Sequence, residues 1–159
     1  MSMPKITIRP AGEKDIPAIL ALYCQLDQAL VDLQPEFFCA APREDAFVRQ
    51  AVQANDADYL LAEADDAVVG FALVNYAGWT PEFSCVLPHR YACLADLVVD
   101  AEHRGQGIGS TLLGAAKRWA RDRRLEYLEL SVLAQNVPAI ALYESHDFVE
   151  ATRVMRCML

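Results

Sequence analysis

From Ala92 to Ala120 the chain reads ACLADLVVDAEHRGQGIGSTLLGAAKRWA, a strand, a turn, a glycine-rich loop and an amphipathic helix in succession. No other stretch narrows the fold as much. Leu94, Leu97, Val98 and Val99 form the apolar strand, and Asp100 to His103 form the turn. Arg104, Gly105, Gln106, Gly107, Ile108, Gly109 and Ser110 follow. Ile108, Leu112, Ala116 and Trp119 then fall on one helical face.

Such a loop suits an anion. The first N–H groups of a helix lack partners inside it, and the helix dipole adds positive potential there. Glycines at 105, 107 and 109 remove the Cβ atoms that would hold a phosphate off the backbone. The dipole alone contributes roughly 0.3–1 kcal/mol at an exposed end, so several N–H bonds must converge. The competing reading gives the glycines only the turn. Two other phosphate loops do not fit. A P-loop needs Lys and Ser or Thr after its second glycine, whereas Ala115 and Ala116 follow Gly114. The dinucleotide fingerprint fits Gly105 and Gly107 and then meets Ser110, and only 50 residues remain after Gly109.

Arg104-x-x-Gly107-x-Gly109 after an apolar strand resembles the acetyl-CoA pyrophosphate loop of the GCN5-related N-acetyltransferase (GNAT) family. A second segment similar to that family follows one strand later, with Asn136, Ala139, Leu142, Tyr143, Glu144 and Phe148 in NVPAIALYESHDF. The likeness is most specific from Leu94 to Phe148 and covers nearly the whole chain. It implies one N-acetyltransferase domain over residues 1–159, α+β in class, with a mixed, mostly antiparallel sheet flanked by helices.

The 159 residues can bury about 70% of the unfolded surface. No apolar run matches the roughly 20 residues of a membrane span, and MSMPKITIRP has no signal-like apolar segment. The expectations are a cytoplasmic location and no membrane partner. Five cysteines, an odd number without C-x-x-C, argue for scattered thiols and against a disulfide framework or a zinc site. The net charge of −8 is uneven: 15 acids against 6 bases before Ala101, and 7 against 8 from there on. That balance disfavours nucleic acid. It suits both a cationic amine and mere solubility.

Along the chain, Lys5 to Arg9 alternates as a strand, and Asp15 is placed to cap a helix whose stripe is Ile16, Ile19, Leu20, Tyr23, Leu26 and Leu30. Pro35 to Pro42 is a loop. Arg43 to Ala54 is a second helix with Phe47, Val48 and Ala51 inward. Tyr59 to Ala64 and Val68 to Tyr76 form a hairpin about Asp65-Asp66. Gly78 to Arg90 is the longest irregular stretch. Lys117, Arg118, Arg121, Arg123 and Arg124 make a basic helix end, either solvated or reaching a nucleotide phosphate. Glu126 to Val132 alternates as a strand, Asn136 to Ser145 is a short helix, and Phe148 to Leu159 supplies two final strands.

The resemblance implies acetyl transfer from acetyl-CoA to an amine, a small molecule in the first reading; the alternatives are a protein amine as acceptor, or an acyl-CoA-binding regulatory or scaffold protein that has lost turnover. Leu97, Val98 and Val99 would pair with the pantetheine arm, and Arg104 to Ser110 would hold the pyrophosphate. Arg104 either neutralises a phosphate or braces the loop. Tyr143 matches the family phenol that faces the thioester sulfur; the alternative is an ordinary core tyrosine. Asn136 bonds the cofactor arm, caps its helix, or does both. NYAGW and LADL resemble the diamine and polyamine acetyltransferases, which have Glu-Asp where this chain has Ala95-Asp96. Asp96 remains as base or amine anchor, against a purely structural role. Glu36, Glu82 and His89 are weaker candidates, and Phe37, Phe38, Trp79 and Phe83 suggest an apolar wall. Asp147 stands where the family has Gly, and Asp tolerates the left-handed turn needed there. The family also implies a homodimer.

Overall fold

The computed structural model describes residues 5–78 and 82–159. Its elements are β1 (Thr7–Pro10), α1 (Ile16–Leu33), α2 (Asp45–Gln53), β2 (Ala57–Ala64), β3 (Ala67–Gly78), β4 (Arg90–Val99), α3 (Ile108–Asp122), β5 (Leu128–Leu130) and α4 (Val137–Glu144). The strands form one sheet in the order β1-β2-β3-β4-β5. All neighbours are antiparallel except β4 and β5, which run parallel. The class is α+β, as expected.

Apolar residues on both pleats of β2 and β3 require cover on both faces. Leu60, Ala62, Val74 and Leu94 pack with Ile108, Leu112, Ala116 and Trp119 of α3. Tyr59, Leu61, Phe71 and Leu73 pack on the other face with Ile16, Ile19, Leu22 and Tyr23 of α1 and Val48 of α2. Phe47, expected inward, is about half exposed, at 47%, and meets the rim of Tyr23 edge-on at 6.2 Å. The helical stretch Glu13–Leu33 has the length and composition to cross a membrane, at a mean hydropathy of 1.3. Here it lays one face on the sheet.

The β2–β3 hairpin turns on Asp65 and Asp66, both left-handed at φ 49° and 63°, the primed geometry that matches strand twist. Asp15 does not cap α1 with its side chain. Its carboxylate instead accepts from Arg9 at 2.8 Å and from the Gly12 N–H at 2.8 Å. Arg9 also donates to Glu63, tying β1 to β2. The Arg9 guanidinium holds the Asp15 carboxyl down at about 2.

Two strand expectations need correction. The alternating run from Glu126 pairs only at Leu128–Leu130. Phe148 to Leu159 forms no strand; beyond Phe148 every residue is exposed and none joins the sheet. Alternation encodes a strand-forming preference, but a strand exists only beside another strand.

Candidate active site

The loop entry is held from α1. Gln25 donates to Asp100 at 2.9 Å and accepts from the Ala101 N–H at 2.9 Å. Gly105 and Gly107 are left-handed at φ 74° and 79°. A Cβ built on either would meet nothing within 4 Å. Their missing side chains therefore border open space, a cradle that larger residues would fill. Gly107 caps α3 with its backbone and accepts from the Thr111 N–H, leaving the amides of Ile108, Gly109 and Ser110 without helical partners. These features fit a diphosphate. Gly109 is small for another reason: its Cβ would lie 3.1 Å from Leu142 of α4. The Arg104 Nε donates to the Val99 carbonyl at 3.2 Å, so the side chain braces the loop. Gln106 is exposed.

The strand before the loop contains a device hidden in the sequence. Leu73 opposes Asp96 while Val74 opposes Leu94, so Ala95 is an extra, bulged residue. The bulge swaps faces. Leu94 lies in the α3-side core, and Val98 lies in the α1-side core. Asp96 turns with Val98 toward α1. Beyond Leu94, β5 no longer pairs with β4. The edge of Leu97, Val98 and Val99 facing away from β3 is thus open to a further extended chain.

Asp96 ends in a cluster that sequence reasoning did not assemble. It accepts from the Tyr23 hydroxyl at 2.8 Å, and Tyr23 lies 3.0 Å from the Tyr59 hydroxyl. Both phenols are buried. The Arg43 guanidinium covers the Tyr23 ring at 4.0 Å and bonds Asp27 at 2.8 Å. Burial pushes the Asp96 carboxyl above its ordinary range, opposed by the Tyr23 bond and the Arg43 charge. Burial foremost, then Asp96, raises the Tyr23 phenol. Tyr23 lay in the predicted α1 stripe. A buried phenol needs a hydrogen-bond partner, and that was the available signal.

Tyr143 of α4 packs against the α3-side core and tilts on the Phe148 ring at 5.9 Å. Its phenol is pushed up by burial, with the Asp96 charge adding to the effect. Asp96 and Tyr143, 47 residues apart, therefore share one electrostatic environment. Asn136 caps α4, its Oδ1 accepting from the Ala139 N–H at 3.4 Å. Asp147 takes the left-handed position at φ 66°, so the turn survives without glycine.

The other candidates lie elsewhere. His89 pairs with Glu126 and meets Tyr127 edge-on; at about 3.3 Å per residue it is roughly 20 Å from Asp96 along the strand. Glu36 and Glu82 are exposed, as are Phe37 and Phe83, while Phe38 is half-buried. Trp79 falls outside the described residues. The basic end of α3 is partly occupied. Lys117 donates to the His146 carbonyl, and Arg123 stacks on Trp119 at 3.9 Å while reaching Asp58. Two concavities flank the Asp96–Tyr143 region without containing it. One, about 380 Å³, lies between α1 and Arg104; the other, about 260 Å³, lies between α3 and Phe148.

The profile of the acetyltransferase (GNAT) family matches residues 26–148. The chain belongs to that family. An uncharacterized N-acetyltransferase, YhfO, from Bacillus subtilis is 30% identical over 150 residues, covering 92% of each chain. A streptothricin acetyltransferase from Streptomyces lavendulae is 33% identical over 99 residues, 60% of this chain. The match takes in 48% of that protein, about half its length. Among solved structures, a tetramutant of the BH1408 protein from Bacillus halodurans superimposes with a TM-score of 0.91 over 96% of this GNAT chain and 99% of its own. At 22% identity that likeness concerns the fold.

Proposed function

We propose that this GNAT chain is an acetyl-CoA-dependent N-acetyltransferase acting on a small primary amine by direct attack. The observation that carries the reading is the open edge of β4 running into the glycine loop, where the backbone of Gly105 and Gly107 borders open space, with Asp96 on the same strand. Acetyl-CoA, when bound, supplies an acetyl thioester. The amides of Gly105 to Ser110 hold its diphosphate, and Leu97 to Val99 offer backbone groups to its arm.

Asp96 receives the proton that the amine must lose. An alkylamine of pKa about 10.4 is some 3.4 units above neutral pH, which costs about 4.6 kcal/mol for the reactive form. A carboxylate raised by burial narrows that gap and attracts the cation as well. Tyr143, kept protonated by the same burial, donates to the sulfur as the C–S bond breaks. Asp27 and Arg43 border the amine side, where Asp27 offsets the Arg43 cation. The streptothricin enzyme, by its name an acetyltransferase of a small antibiotic, supports the substrate class without fixing the amine.

CoA release measured over a panel of polyamines, amino acids and antibiotic amines tests this reading. Turnover should appear on at least one small amine, and Tyr143→Phe should lower kcat about 100-fold with acetyl-CoA affinity retained. Binding of acetyl-CoA without release on any amine would leave a binding protein in place of an enzyme.

A further inference from the structure

Tyr23 of α1 is touched on two sides. Its hydroxyl donates to Asp96 Oδ2 at 2.8 Å, and the Arg43 guanidinium lies over its ring at 4.0 Å. A carboxylate and a guanidinium therefore stand one phenol apart, within the span of one small molecule.

Arg43 is fixed before any substrate arrives. Its Nε and Nη2 donate to the two oxygens of Asp27, at 3.3 and 2.8 Å. Phe47 offers a second aromatic ring, 5.6 Å from the guanidinium carbon. The bidentate bond occupies one edge of the planar fork and leaves the donors of Nη1 over. Among the described residues Nη1 makes no hydrogen bond, and neither does Asp96 Oδ1. Arg43 and Asp96 are half-buried. No unpartnered side-chain nitrogen or oxygen of such a described residue is sealed from solvent, so both atoms can be reached.

The cluster thus presents one free acceptor and one set of free donors, of opposite charge. An ammonium only donates, so it fits Asp96 Oδ1 and cannot satisfy Nη1. Nη1 requires an acceptor, and a carboxylate matches a guanidinium edge. Asp27 and Asp96 together already outnumber the Arg43 cation, which favours a singly charged carboxylate over a doubly charged phosphate.

We infer, on the acetyltransferase reading above, that the acceptor is a zwitterion such as a free amino acid, its nitrogen at Asp96 Oδ1 and its carboxylate on Nη1 of Arg43. Arg43 then sets specificity. An Arg43 that only ties the segment before α2 to Asp27 of α1 would serve every amine alike.

Acceptors compared in threes separate these roles: each standard amino acid, its carboxamide and its decarboxylated amine. In steady-state kinetics the preferred amino acid should have a kcat/KM at least about tenfold above either analogue. Arg43→Gln should abolish that preference by raising KM for the amino acid. The ratio is the decisive readout, because a change in Asp96 ionisation or in the fold moves all three acceptors together. Arg43→Gln with Asp27→Asn leaves no unpaired carboxylate behind and should flatten the ratio as well. Titration calorimetry with CoA present reads the same preference without turnover. Amino-acid binding that depends on Arg43, with no acetyl transfer, would keep the subsite and overturn the acetyltransferase reading. Turnover at equal kcat/KM for all three acceptors would keep the enzyme and overturn the subsite. A preference that survives both variants, or the absence of both binding and turnover with every amino acid, would overturn it equally.

Discussion

The two ends of β4 solve different problems. At Gly105–Ser110 the chain arranges backbone; at Asp96 it arranges side chains from far away. The loop needs two left-handed residues, open space above them and a helix start, all supplied by consecutive residues. The Asp96 cluster needs a phenol from α1, a second from β2 and a guanidinium from the segment before α2. A backbone cradle depends on its φ angles and on the absence of side chains at 105, 107 and 109, and tolerates change at its other positions. A buried carboxylate is sensitive to each neighbour, because in a poorly solvated site every lost bond alters its charge.

Substitutions can break that contrast. Asp96→Asn should have the largest effect, lowering kcat/KM about 10²–10⁴-fold while leaving acetyl-CoA affinity alone, as read by steady-state kinetics and calorimetry. Gly107→Val should do the reverse. A β-branched residue at φ 79° is strained by roughly 1–2 kcal/mol, and its side chain enters the cradle. Acetyl-CoA affinity should fall about 100-fold in titration calorimetry, with the circular dichroism spectrum unchanged. If both variants lose cofactor affinity equally, the two ends are one site and the distinction fails.

Tyr23→Phe sharpens the comparison with a smaller change. The Tyr23 bond holds the Asp96 carboxyl down against burial. Without it, Asp96 stays protonated to higher pH. A base must be ionised, so activity falls as pH drops through its pKa, and the acidic limb of the kcat/KM profile should move to higher pH. A profile unmoved by Tyr23→Phe would remove Asp96 from the role of base.

Arg9→Ala supplies a control outside both regions. The Asp15 carboxyl sits at about 2 in the fold against an ordinary 3.8. Its contribution is complete above about pH 4 and disappears as pH falls through 2. The variant should lose about 1–3 kcal/mol at neutral pH and show a flatter melting profile between pH 4 and 2, with kinetics unchanged.

The loop was legible because its physics is local: Gly105, Gly107 and the α3 stripe are neighbours in the chain. Tyr143 and Asn136 were legible by resemblance, and the structure adds that Asn136 caps its own helix. Ala95 read as a missing glutamate; its position as the bulged residue that aims Asp96 was not legible, since a bulge depends on the register with β3. Arg43 read only as the start of a helix, yet it covers Tyr23.

By itself, the order of residues determined the helix stripes, the hairpin at Asp65-Asp66, the anion-ready loop and a strand-forming tail. Tertiary structure decided which face Asp96 occupies, which phenols surround it, and that the tail finds no place in its own sheet. The physical reason is range. Helices and turns are settled by hydrogen bonds within a few residues, whereas strand pairing and the ionisation of a buried acid depend on groups that only folding brings alongside.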